Sequence, residues 1–206
     1  MLRSFVTAVL ALAFSTAACA QNVNTDVAKA PTGTYQLEQS HSLVIFSIAH
    51  MGLTDYYGRF DKLSGTLNFD SGTPEKSATN ITIDTTSVDT PSERLNNELK
   101  GSGVFVADKF PTATFKSTSI VRTGPNTGKI TGDLTIKDVT KPVVLDTVFR
   151  AGSPPSFLTG GGYALGFHAT TTIHRADFGL TGTIWSGFVG DDVNLTIEAM
   201  FVQEKH

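Results

Sequence analysis

Cysteine is all but missing from this chain. The single one, Cys19, lies at the end of an apolar N-terminal leader, so removal of that leader leaves no thiol. A disulfide framework and a thiol nucleophile are thereby excluded, and stability has to come from a core. Long hydrophobic runs are missing too. The apolar stretch from Phe5 to Phe14 spans about ten residues, well short of the roughly 20 that a membrane-spanning helix requires. No later stretch approaches that length, so the mature chain is expected to carry no transmembrane segment and to be soluble. Nor is there an excess of positive charge: 16 Lys and Arg stand against 19 Asp and Glu, a net charge of −3. They are scattered rather than gathered into a basic stripe, which argues against nucleic acid as a partner.

Catalytic signatures are equally scarce. Ser42, Ser47, Ser64 and Ser117 lack a nucleophile-elbow context. Gly160-Gly161-Gly162 does not join a strand to a helix and reads as a flexible turn or rim rather than a phosphate cradle. No triad and no paired carboxylates stand out. Asp191 and Asp192 are adjacent, so on a strand they would point to opposite faces, and they read as turn residues after Gly190.

What is present begins with the leader. Arg3, the apolar run and Ala18-Cys19-Ala20 form a secretory signal with a small-residue cleavage site. The expected organisation is a signal peptide over 1–20, a polar flexible lead-in over 21–32 and one domain over 33–206, placed in the periplasm. Anchoring through a lipid on Cys19 is the lesser alternative, because Thr16 stands where such signals usually carry Leu.

From Gly33 onward the dominant period is two. Leu67 and Phe69 alternate with polar neighbours, as do Ile81 and Ile83, and Val193, Leu195 and Ile197. Such alternation marks half-buried strands. Further strands are expected at Tyr35–Leu37, Leu43–His50, Gly58–Leu63, Thr114–Arg122, Lys129–Lys137, Val143–Arg150 and Tyr163–His174. The segment from Pro91 to Gly101 breaks the pattern and predicts a short helix, with Leu95 and Leu99 facing the body of the protein and a second turn around Val104–Ala107. The fold class that follows is all-β: an antiparallel barrel closed on itself, with eight strands able to enclose one ligand, plus a helical excursion.

Val44, Phe46, Ile48 and His50 share strand parity and form the expected inward set, together with Phe60, Phe69, Phe115, Phe149, Phe167, Ile173 and Phe201. Rigid aromatics can wall a tunnel without collapsing into it. Each buried methylene of a lipid contributes about 0.8 kcal/mol, so such a site needs few polar groups. His50 reads as a head-group contact or as a structural histidine. His41 has the opposite parity, and His168 and His174 share one face about 20 Å apart at 3.3 Å per residue, which weakens any metal site. Arg59 is a candidate for a lipid head group or for an ion pair with Asp177; Arg175 and Asp177, two apart, are expected on one strand face as a local pair.

Four blocks occur in one order: His41 to Leu53 followed by Gly58-Arg59-Phe60; Phe110-Pro111-Thr112-Ala113-Thr114-Phe115; Thr140-Lys141-Pro142-Val143; and Arg175-Ala176-Asp177-Phe178-Gly179. Together they resemble the bacterial YceI-like proteins over roughly Gly33 to Val202. The resemblance implies a lipocalin-like barrel that binds a polyisoprenoid lipid, such as a quinone or prenyl carrier, with no catalysis and no other cofactor. It also implies a charged helical block carrying a His-Leu pair, where this chain has Glu98-Leu99 and a glycine-rich continuation. Two other readings remain open at this point: a packed, stress-associated interaction barrel that forms a homodimer through an apolar outer strand, and a small enzyme using His50 and Asp177 at the barrel mouth.

Overall fold

The computed structural model describes residues 23–182 and 187–204; the leader and Cys19 lie outside them. Among the described residues ten strands and one α-helix follow one another: β1 Gly33–His50, β2 Thr54–Phe60, β3 Leu63–Phe69, β4 Ala78–Asp84, β5 Val88–Asp89, α1 Glu93–Lys100, β6 Thr112–Arg122, β7 Thr127–Ile136, β8 Val139–Ser153, β9 Ala164–His174 and β10 Val189–Gln203. Neighbours pair in the order β10-β9-β8-β7-β6-β4-β3-β1, and β10 returns to pair with β1. The result is a closed eight-stranded antiparallel barrel, as expected from the alternation. Closure removes the unpaired edges that a flat sheet would expose.

The first strand is longer than the alternation predicts. It runs from Gly33 to His50 through a bulge, where the register against β10 shifts between Glu38↔Met200 and Leu43↔Glu198. Ser42 stitches the bulge: its buried hydroxyl donates to the Glu38 carbonyl at 2.6 Å and accepts from the Met200 N–H at 3.0 Å. The inserted residues change the inward parity from Tyr35 and Leu37 to Val44, Phe46 and Ile48. Outside the wall, the Glu38 carboxylate accepts from both the backbone and side chain of Ser40 and of His41. Leu43 and Ile45 stay half-buried on the outer face, because β10 lies edge to edge with β1 rather than over it.

The strand expected at Gly58–Leu63 is broken at Asp61-Lys62. β2 pairs with the C-terminal half of β1 and β3 with its N-terminal half, and the break lies beside the bulge. Asp191 and Asp192, expected as turn residues after Gly190, belong with it to β10. The predicted helix is α1, capped by Ser92, whose Oγ accepts from the Leu95 N–H. Turns follow α1 around residues 104–107, as expected.

One end of the barrel is filled. Tyr35, Leu67, Phe69, Phe149, Leu165 and Phe201 form a buried cluster, with Tyr35 and Phe69 edge to face at 6.2 Å. Val27 and Ala30 join it from the polar segment expected to be a flexible lead-in; a bridge from Asn24 to Gly152 and a 3-10 turn at Val27–Lys29 dock that segment. Tyr35 donates to the Pro31 carbonyl at 2.6 Å. Burial, reinforced by Tyr163, pushes its phenol pKa up to about 12.

Candidate functional site

Above the filled end the barrel is hollow. A cavity of about 630 Å³ lies within the range of small-molecule sites. Strand alternation decides who faces it. On β9 the odd positions Phe167, Ala169, Thr171 and Ile173 line the space; on β10 Val193, Leu195, Ile197, Ala199 and Phe201 do; on β1 Val44, Phe46, Ile48 and His50 do. Phe60, Phe115 and Arg175 also contribute.

Phe69 and Phe149, expected in the tunnel wall, are a correction: they stand below it in the packed cluster. Their parity is inward, but they lie at the level where side chains from facing strands meet. Phe167 joins the two levels, with its ring 5.5 Å from Phe149 and 6.0 Å from Phe201.

Two glycines keep the lumen open. A Cβ at Gly58 would stand 2.3 Å from the Phe46 ring, and one at Gly132 would stand 2.4 Å from the Phe115 ring. Each ring therefore lies across a glycine of the neighbouring strand instead of projecting inward.

The lumen is also chemically plainer than its residue names suggest. The Thr79 hydroxyl donates to the Thr66 carbonyl at 2.9 Å, and that of Thr85 to the Phe110 carbonyl at 2.8 Å. With these groups bonded to backbone, they offer a ligand mainly methyl surface. Apart from the threonines Thr79, Thr85, Thr147 and Thr171, the polar groups of the lining are His50, Tyr56, Ser92, Arg94, Glu98 and Arg175, at the mouth. Glu98, at the position where the resemblance implied histidine, accepts from Arg94 Nη1 at 2.9 Å.

The helix α1 borders the mouth and turns Leu95 and Leu99 toward the cavity, as the four-residue spacing predicts. Asn96 ties it to β5. Its side-chain oxygen accepts from the Thr90 N–H and hydroxyl, both at 2.7 Å, and its amide donates to Asp89 at 3.2 Å. Phe105, outside the expected inward set, completes the lining and meets Phe60 edge to face at 5.5 Å. It sits in irregular chain with no period to reveal its direction.

The remaining polar candidates go elsewhere. Arg59 is on the outer face, paired with Asp61 at 2.9 Å and Asp89 at 3.2 Å rather than with Asp177. Arg175 and Asp177 are not on a strand face but in a 3-10 turn, Arg175–Phe178. Arg175 donates to the Gly190 carbonyl at 2.8 Å and the Leu180 carbonyl at 2.9 Å, whereas Asp177 is exposed and does not line the cavity. His50 and Asp177 are thus not brought together at the cavity. His168 and His174 point outward to Glu198 and Asp192, at 2.7 and 2.8 Å. Among the described residues, no three His, Cys, Asp or Glu side chains gather to hold a metal ion, and no helix is long and apolar enough to cross a membrane.

Residues 35–201 match the YceI-like domain family. A UPF0312 protein of Ectopseudomonas mendocina is 38% identical over 161 residues, 78% of this chain and 82% of that protein. Protein YceI of Escherichia coli is 37% identical over 169 residues, 82% of this chain and 85% of its own. Among solved structures, Burkholderia cenocepacia BcnA superposes with a TM-score of 0.71 at 25% identity, covering 80% of this chain and 98% of that one. A Campylobacter jejuni YceI protein gives 0.67 at 30% identity over 76% and 90% of the two chains. A polyisoprenoid-binding domain from Saccharophagus degradans shares the fold, with a TM-score of 0.60 at 16% identity over 84% of this chain and all of that one, 100%.

Proposed function

Because this chain belongs to the YceI-like family, we propose that its barrel carries one long-chain isoprenoid lipid, a quinone or prenyl lipid, with the tail in the cavity and the head group at the polar mouth. The observation that carries the reading is the hollow of about 630 Å³, walled by rings that lie flat over Gly58 and Gly132. A filled interior would suit a purely structural barrel; this one leaves room for a guest.

The energetics suit a chain-like apolar ligand. Every methylene removed from water contributes about 0.8 kcal/mol, so affinity accumulates along the tail without directed bonds. The mouth then selects the head group through His50, Tyr56 and the Arg94–Glu98 pair. The secretory leader expected from the sequence supports a periplasmic carrier, which would shelter a lipid tail from water.

Native mass spectrometry of the protein, with extraction and identification of any bound species, tests the proposal. A retained isoprenoid is the expected result. Narrowing the lumen with Ala199→Phe should abolish retention while leaving the far-ultraviolet circular dichroism spectrum unchanged. A protein that arrives empty and takes up neither a quinone nor a prenyl lipid would overturn the carrier reading.

A further inference from the structure

The barrel mouth carries apolar side chains on the outside as well as the inside. Met51 is 57% exposed, Leu53 78%, Tyr57 56% and Phe188 56%. Three of them stand one residue from a cavity-lining position: Met51 after His50, Tyr57 after Tyr56 and Phe188 before Val189. Met51 and Phe188 are held side by side, the N–H of the first donating to the carbonyl of the second at 2.7 Å. The exposed patch therefore begins where the cavity lining ends.

The turn that projects it is built against local preference. Met51 and Gly52 both have positive φ, 55° and 68°, and the Leu53 N–H donates to the His50 carbonyl at 3.0 Å. Tight hairpin turns with this left-handed pair favour Asn, Asp or Gly at the first position. A methionine there is conformationally disfavoured and presents its thioether to solvent. Strain of this kind points to a use for the side chain.

We infer that this tip, Met51, Leu53 and Phe188 with Tyr57 behind them, docks the barrel mouth on a lipid bilayer surface. The occupant follows from continuity: an apolar rim that opens directly into an apolar lumen lets a lipid tail pass from bilayer to barrel without crossing water. The charges next to the tip in sequence are Asp55, Asp191 and Asp192, the last two paired with His174, and the two arginines of the mouth are engaged, Arg94 with Glu98 and Arg175 with the Gly190 and Leu180 carbonyls. The contact is therefore driven by apolar insertion and not by attraction to anionic lipids. The inference rests on the carrier reading for its purpose but not for its measurement.

Co-flotation with phosphatidylcholine vesicles is the test, repeated with phosphatidylglycerol added and at raised salt. The protein should float with the vesicles, need no anionic lipid and be insensitive to salt. Leu53→Ser with Phe188→Ser should lower partitioning about tenfold or more, as loss of two inserted apolar side chains requires. Met51→Asn should weaken it as well while holding or raising the thermal midpoint, because asparagine suits the turn. Binding of a fluorescent prenyl probe added without vesicles should be unchanged in both variants. No flotation of the parent protein, equal flotation of the variants, or a patch that instead buries itself in a concentration-dependent dimer would overturn the docking surface. Failure of the probe to bind parent protein that still floats would count against the carrier reading alone.

Discussion

At position 58 the lack of one methyl group decides where the Phe46 ring lies. Gly58→Ala should push that ring off the wall and into the lumen, destabilising the fold by about 1–3 kcal/mol and lowering lipid uptake; trimming the ring as well, with Phe46→Leu, should restore stability. Chemical denaturation of the single and double variants measures both. Tyr35 makes a different kind of contribution. Its folded pKa is raised to about 12 by burial and by Tyr163, so the stabilisation of the neutral phenol is complete below the unfolded tyrosine value. It is lost as pH rises through the folded one. Tyr35→Phe should cost about 1 kcal/mol through the lost bond to Pro31 and blunt the alkaline fall in thermal midpoint. Glu38 has the opposite sign. Burial raises its pKa, but the hydrogen bonds from Ser40 and His41 outweigh burial and hold it below the usual carboxylate range. Its stabilisation is present above the unfolded glutamate value and disappears as pH falls through the folded one. Glu38→Gln should therefore flatten the acid limb of a thermal-midpoint-against-pH curve.

Among the elements, the bulge in β1 and the tether of α1 are the two most exposed to test. Ser42→Ala leaves the Met200 N–H and Glu38 carbonyl without their shared partner and should cost about 1–3 kcal/mol in denaturant unfolding. Asn96→Ala frees α1 from β5 without touching the lumen; the expected outcome is faster release of a bound prenyl probe together with a loss of about 1–3 kcal/mol in denaturant unfolding, from the buried Thr90 N–H left without its partner. The helix itself was legible, because Pro91, the acidic first turn and Gly101 are local signals that act within the segment. The strands were legible for the same reason, since alternation needs no knowledge of partners. The bulge and the break at Asp61-Lys62 were not. Both arise from how β1 shares its two halves between β2 and β3, a long-range pairing that leaves no mark on either segment alone.

Across the whole molecule, the sequence pattern gave the closed barrel and the inward faces but not the height of each residue along the axis. Phe69 and Phe115 carry the same signal, a phenylalanine in an alternating run; one lies in the plug and the other beside the cavity. Arg59 and Asp177 show the converse, since charges beside the inward set were as consistent with the outer wall as with the mouth. Height is set by register, and register emerges only when strands pair. The plug also has a kinetic consequence. A tube stoppered at one end must be emptied through the door by which it was filled, so an occupant entering tail first departs head first, and a newcomer cannot displace it from behind. Exchange is then a matter of waiting for vacancy, and its rate in a chase experiment should not depend on how much competing lipid is supplied.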